Sequence, residues 1–143
     1  MTYIAAPLRR LVIERAGNCC EYCLLSQDDD DFSFHIDHVI AEKHHGETTA
    51  DNLCLSCYVC NTYKGSDITS IDPHTRSVAM LYNPRTQIWT EHFQLQGVQI
   101  KALTSNGRVT VSLLRLNAPE RLTEREILLK LGRYPCLPVD LTQ

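Results

Sequence analysis

The amino-acid sequence predicts an α+β fold, with a strand-and-helix core followed by a small antiparallel sheet and two C-terminal helices. Three observations lead to this prediction. Residues 32–40 alternate between apolar and polar side chains, two CxxC pairs enclose that segment, and three apolar segments separated by turn residues follow position 77. The 143 residues suit a single folding unit with a buried core, since domains usually hold about 50–200 residues.

The first part of the chain reads as a helix, two strands and a second helix. Residues 7–16 start with proline and carry apolar side chains at helical spacing, and a glycine follows at the capping position. The alternation in residues 32–40 predicts the first strand, and residues 52–57 predict a second, shorter one. A short helix is expected over residues 60–64.

The second part of the chain reads as a β-meander. Its predicted strands share an apolar composition and cover residues 78–82, 89–95 and 98–103. The segments Asn83-Pro84-Arg85-Thr86 and Gln96-Gly97 supply the turns. The sequence therefore predicts a core at 1–67 and a C-terminal region at 68–143 that packs on it.

Two C-terminal helices complete the prediction. The first covers residues 105–116 and ends before Pro119. Thr123 and Glu126 have the spacing of a capping box, which predicts the start of the last helix, and Gly132 is expected to end it.

Four of the seven cysteines form two CxxC pairs, Cys20 with Cys23 and Cys57 with Cys60. A CxxC turn lets both sulfur atoms converge on one ion, so two such turns supply a closed tetrahedral shell that is typical of structural zinc. Four reduced thiols and a redox-active dithiol are the alternatives. No βαβ pattern accompanies the pairs, which disfavours the redox alternative.

Three cysteines lie outside the pairs, namely Cys19, Cys54 and Cys136. Free cysteine behaves as a small apolar residue and is frequently buried. The sequence therefore predicts three buried free thiols.

Charge and the first residues of the chain bear on partners and location. The net charge is −3, and residues 1–66 hold five basic and ten acidic side chains, so charge alone does not indicate a nucleic-acid partner. The N-terminal residues lack the basic and apolar pattern of a signal peptide, and no apolar run reaches membrane-spanning length. A cytoplasmic protein without a membrane segment is expected.

The ordered motifs resemble those of the HNH endonuclease family, which has a ββα-metal fold with a four-cysteine zinc site. The resemblance rests on the two CxxC pairs, Asp37-His38, Asn52-Leu53, and Asn61 with Lys64 after the last cysteine. Beyond this core, Asn83-Pro84-Arg85, 89–93 and 104–108 are similar to a small bacterial stand-alone subgroup.

The resemblance implies a metal-dependent hydrolase of DNA phosphodiester bonds. It makes His38 the general base, Asp37 and Asn61 the holders of a divalent cation, and Asn52 a brace for the loop that aims His38. A carboxylate and an amide oxygen favour Mg²⁺ or Mn²⁺. The implied products carry 5′-phosphate and 3′-hydroxyl ends.

Substrate contacts are expected from basic side chains near these motifs. We expect Lys64 and Arg85 to contact phosphates, and His35 is either an additional contact or ligand, or a structural histidine. Further candidates are Arg9, Arg10, Arg108 and Arg115. No basic stripe interleaved with aromatic residues is visible, so a stacking surface for single strands is not expected. The partner is then double-stranded DNA, and a homodimer is left open.

Two other functions compete with nuclease activity. A non-catalytic zinc module that binds nucleic acid or protein fits the acidic first half. A thiol–disulfide enzyme fits the CxxC pairs alone. A binding module has no chemical need for the set of Asp37, His38 and Asn61, which favours the nuclease.

Overall fold

The computed structural model describes residues 2–137, and its first helix, α1, spans Ala6–Arg15. Pro7 lies at the start of this helix, where its missing N–H costs no hydrogen bond. Gly17 takes a φ of 61° just after the helix, which is the left-handed conformation that glycine adopts most easily. The predicted first helix is confirmed.

A hairpin and a helix follow. Strand β1 (His35–His38) pairs antiparallel with β2 (Leu53–Ser56), which places Asp37 opposite Cys54. Helix α2 covers Tyr58–Lys64. The first strand is shorter than the predicted 32–40 because side chains bond the flanking backbone: the Gln27 amide accepts from the N–H of residue 34, and the Asn52 amide from that of residue 40.

The C-terminal half contains two separate hairpins, so the predicted β-meander is wrong. Strand β3 (Thr69–Ile71) pairs with β4 (Val78–Met80), and β5 (Phe93–Gln96) pairs with β6 (Gln99–Ala102). Strand β3 was missed because it has three residues and its side chains are largely exposed, so no apolar pattern marks it.

Residues 89–92 form a helical turn, α3 (Trp89–His92), where the sequence predicted the start of a strand. The indole N–H of Trp89 donates to the carbonyl oxygen of Tyr22 at 2.9 Å, and the ring is buried. This contact with the first half of the chain holds the turn in place, and no local pattern reveals it.

Helices α4 (Ser105–Leu113) and α5 (Pro119–Lys130) match the two predicted C-terminal helices. The predicted capping box at Thr123 and Glu126 is wrong, because α5 already begins at Pro119. The Thr123 hydroxyl donates to the Pro119 carbonyl oxygen inside the helix. Gly132 follows the helix with a φ of 73°, as predicted.

One hydrophobic cluster runs through both halves of the described chain. It joins Tyr22, Leu53 and Leu55 of the first half to Trp89 and Phe93 of the second. Polar contacts also link the halves: the Tyr134 hydroxyl donates to the Cys23 carbonyl oxygen at 2.7 Å. The division at position 67 stays a prediction.

Cys19 and Cys136 form a disulfide with a Cα–Cα distance of 5.7 Å, so the prediction of free thiols at these positions is wrong. The backbone N–H of Cys136 donates to the Leu24 carbonyl oxygen, which holds the C-terminal segment beside the first cysteine. The two partners are 117 positions apart, and residue spacing does not reveal such a pairing. Cys54 is a buried free thiol, as predicted.

Within residues 2–137, no helix combines the length and the apolar character needed to cross a lipid bilayer.

Candidate active site and metal centre

The four paired cysteines converge at one point. Their sulfur atoms all lie within 4.8 Å of one another, and all four residues are buried. The Cys23 and Cys57 sulfurs are 3.7 Å apart. A tetrahedron with Zn–S bonds of 2.3 Å places its sulfurs about 3.8 Å apart, close to the Cys23–Cys57 separation, so the four cysteines are suited to a zinc ion. Two cysteines precede β1 and two flank the start of α2, so this site anchors both ends of the hairpin.

Backbone and side-chain donors surround the sulfurs. The N–H of Cys23 donates to Cys20 Sγ and that of Cys60 to Cys57 Sγ, as expected for thiolates that carry negative charge. Arg121 of α5 is buried and donates from Nη2 to Cys60 Sγ at 3.0 Å. Four thiolates with one Zn²⁺ carry a net charge of −2, and the guanidinium offsets part of it.

Asp37, His38, His35 and Asn61 line one open cavity of about 590 Å³. Strand β1 supplies the first three and α2 supplies Asn61. The structure thus brings together the residues to which the sequence assigned the general base and the cation. It leaves their chemical roles as predictions.

Asp37 is mostly buried and has a cation beside it. Its Oδ2 lies 3.1 Å from Lys64 Nζ, although the pair lacks hydrogen-bond geometry. Burial raises the pKa of Asp37, and the ammonium of Lys64 partly offsets that rise. Side-chain exposure of Asp37 is 14%, and it contributes to the cavity wall.

The His38 ring is held through one nitrogen. Nε2 lies 2.9 Å from Thr48 Oγ1 and 3.3 Å from Glu42 Oε1. The carboxylate of Glu42 also accepts a hydrogen bond from the Thr2 hydroxyl. With a proton on Nε2 facing these oxygens, Nδ1 carries the lone pair that a general base requires. Neither Glu42 nor Thr48 was singled out from the sequence, because Glu42 starts a short 3₁₀ helix and Thr48 lies in the loop after it, and no motif marks either residue.

Asn52 ties this loop to the strand. Its amide nitrogen donates to the carbonyl oxygens of Ile40 (3.0 Å) and Glu47 (2.8 Å), and its Oδ1 accepts from the Ile40 N–H. A Cβ at Gly46 would lie 1.7 Å from the Ile40 carbonyl oxygen, so only glycine fits there. His45 precedes it with a φ of 70°, in the left-handed region that glycine adopts more easily than other residues.

Two residues predicted to contact substrate are placed where they do not fit that role. Lys64 is 2% exposed, and its ammonium also donates to the His38 carbonyl oxygen at 3.1 Å. Arg85 forms an ion pair with Glu21, and both side chains are about one-tenth exposed. Neither cation is presented to a phosphate. The two pairs instead join α2 to β1 and the second half of the chain to the first.

The remaining basic candidates are scattered. Arg9 lines the cavity and is exposed, which suits a phosphate contact. Arg10 is exposed beside it on α1. Arg108 is paired with Asp72 at 2.9 Å, and Arg115 lies over the Tyr63 ring at 4.8 Å. Of these four, Arg9 alone is part of the cavity wall.

Replacing Lys64 with methionine is expected to destabilise the fold by about 3 kcal/mol when no divalent cation is present. Removing one partner of a buried ion pair leaves an uncompensated charge, here that of Asp37. Thermal unfolding followed by circular dichroism measures the effect. Lys43→Met is the matched control, because Lys43 is exposed. Equal melting temperatures for the two variants would contradict the assigned role of the pair.

Comparisons with known proteins agree with this geometry. Residues 20–67 match the family described as HNH endonuclease. The chain is 23% identical over 124 residues to the Septu protein PtuB of Bacillus thuringiensis. That alignment covers 85% of this chain and 46% of the relative, so the chain spans about half the length of this curated protein. No solved structure is significantly similar.

The matched range holds the whole arrangement described above. It begins at Cys20 and extends beyond Lys64, so it includes the four cysteines, the β1–β2 hairpin and α2. The predicted resemblance is confirmed: residues 20–67 of this α+β chain match the HNH endonuclease family.

Proposed function

We propose that the chain is a metal-dependent endonuclease that hydrolyses DNA phosphodiester bonds. The observation that carries the proposal is the single cavity lined by Asp37, His38 and Asn61 inside an HNH endonuclease domain. An imidazole, a carboxylate and an amide on one wall supply a base and hard-oxygen ligands, which metal-assisted hydrolysis of a phosphodiester requires.

His38 accepts the proton of the attacking water on Nδ1, while Thr48 and Glu42 hold Nε2 and keep the ring from rotating. Asn52 fixes the loop that carries both partners. The water oxygen bonds to phosphorus as the bond from phosphorus to the 3′ oxygen breaks. The leaving 3′ oxygen takes a proton from solvent water, so the products carry 5′-phosphate and 3′-hydroxyl ends.

Asp37 and Asn61 are the residues that would hold Mg²⁺ or Mn²⁺. Such a cation, when bound, neutralises charge on the scissile phosphate and stabilises the leaving oxygen. Arg9 on the cavity wall provides the nearest exposed positive side chain for a flanking phosphate. Because residues 1–66 carry more acidic than basic side chains, the affinity for DNA should be modest and should fall strongly as the salt concentration rises.

Supercoiled plasmid DNA tests the proposal directly. Zinc-loaded protein is expected to nick or linearise the plasmid with Mg²⁺ or Mn²⁺ and to leave it intact without a divalent cation. The nicks should be sealed by DNA ligase, since the ends are a 5′-phosphate and a 3′-hydroxyl. If both the plasmid and a circular single strand stay intact under every cation, with zinc content and circular dichroism spectrum normal, the proposal is contradicted.

One observation favours a second candidate, a non-catalytic zinc module that binds nucleic acid or protein. The ammonium of Lys64 lies 3.1 Å from Asp37 Oδ2, so a protein cation already neutralises part of the proposed metal ligand. This candidate predicts DNA or protein binding that does not depend on divalent cations, together with an absence of cleavage.

A further inference from the structure

Three ring side chains form a row that starts at the cavity. His35 lines the cavity with Asp37, its ring is 6.1 Å from that of Tyr58, and the Tyr58 ring is 5.3 Å from that of Phe32. The Phe32 and Tyr58 rings are nearly parallel, at 28°. We call these three side chains the ring row. Phe32 lies in the loop before β1, and His35 is the first residue of β1. Tyr58 is the first residue of α2.

The ring row is open to solvent. Phe32 is 62% exposed and Tyr58 is 47% exposed, and His35 is exposed as well. Stacking between Phe32 and Tyr58 covers only part of each ring. Their remaining faces and edges are available to a flat, apolar ligand, because offset or edge contacts between rings are favourable.

The charges near the ring row indicate which part of a nucleic acid would lie there. Asp30 and Asp31 share a surface depression with Phe32 and Tyr58, and their carboxylates repel phosphates. Arg9 lies on the wall of the cavity at the other end of the row. The rings therefore suit bases, and the cavity suits the backbone.

We propose that the ring row is a stacking platform for unpaired nucleobases beside the scissile phosphate. The proposal rests on the proposed nuclease function and specifies its substrate. Continuous duplex DNA keeps its base faces inside the helix, so a platform of this kind selects single-stranded, frayed or junction DNA. The sequence had led us to expect duplex DNA, and the platform replaces that expectation with unpaired DNA. No stacking surface was visible in the sequence because Phe32 and Tyr58 are far apart along the chain.

Binding measured without cleavage separates this proposal from the nuclease proposal. Fluorescence anisotropy with the His38→Ala protein, in the absence of divalent cations, would compare three labelled 12-nucleotide ligands: a mixed-sequence single strand, its duplex, and an abasic strand. Because alanine at a stacking ring costs about 1–3 kcal/mol per base, Phe32→Ala with Tyr58→Ala should weaken single-strand binding at least roughly tenfold. Affinity for the abasic strand should stay unchanged.

Two controls keep the result interpretable. Tyr3→Ala removes a ring that is 84% exposed and makes no ring contact among the described residues, so it should leave binding unchanged. Tyr58→Phe keeps the ring and should retain affinity. Zinc content and melting temperature must be normal, since Tyr58 follows a zinc-site cysteine.

Unchanged single-strand binding in the double variant would overturn the platform. Equal weakening for the abasic strand would overturn it as well, because that pattern reports charge or folding and not base stacking. Plasmid cleavage by the wild-type protein is an independent measurement, so failure of the platform proposal can be distinguished from failure of the nuclease proposal on which it rests.

Discussion

Replacing His38 with alanine is expected to slow DNA cleavage by about 10²–10⁴-fold, the range for the loss of a general base. The imidazole is held through Nε2 by Thr48 and Glu42, so in the tautomer with its proton on Nε2 the Nδ1 lone pair is kept in one orientation. Alanine removes the base and leaves Asp37 and Asn61 in place. Initial rates of plasmid nicking at saturating Mn²⁺ would measure the difference.

The matched control for this substitution is His74→Ala. His74 is exposed and lies in the loop between β3 and β4, outside the residues that line the cavity. The His74→Ala protein should nick plasmid DNA at the rate of the wild-type protein. If the His38→Ala protein has normal zinc content and cleaves at the wild-type rate, His38 is not the general base.

Removal of zinc is expected to have the largest effect on the fold of residues 20–67. Structural zinc sites of this size bind with about 10–16 kcal/mol of apparent free energy, and that energy is coupled to folding. The four cysteines hold both ends of the β1–β2 hairpin, so their release frees the strand that carries Asp37 and His38. Metal analysis should give one zinc per chain, and chelation should abolish the cooperative thermal transition of this region.

Substitution of single cysteines provides the control for the zinc prediction. Cys60→Ser should lose zinc, and with it the hydrogen bond from Arg121. Cys54→Ala should keep one zinc, because Cys54 is equally buried but its sulfur contacts the Tyr22 hydroxyl instead. Loss of zinc from both variants, or from neither, would contradict the assignment of the four ligands.

The features that the sequence predicted well are local in the chain. A CxxC turn brings together the two sulfurs of its own pair, and the four ligands that structural zinc requires predicted that the two pairs meet, as they do. The β1–β2–α2 order followed in the same way from alternation and from the residues around the last cysteine pair.

The errors arose where distant residues decide the outcome. Lys64 and Arg85 were predicted to contact phosphates because a sequence does not show whether a basic side chain is exposed or buried. Their ion-pair partners, Asp37 and Glu21, are 27 and 64 positions away. Arg121 went unnoticed for the same reason, since only the packing of α5 against the zinc site reveals its contact with Cys60. The ring row also depends on residues from two elements.

The bond between Cys19 and Cys136 turns most of the described chain into a covalent ring. All four zinc ligands, the ring row and the cavity side chains of β1 and α2 lie inside it, whereas Arg9 of the cavity wall lies outside it. A single break of the backbone between the two cysteines opens that ring without separating any of these parts. The domain can thus lose the continuity of its chain at one point and still remain one molecule.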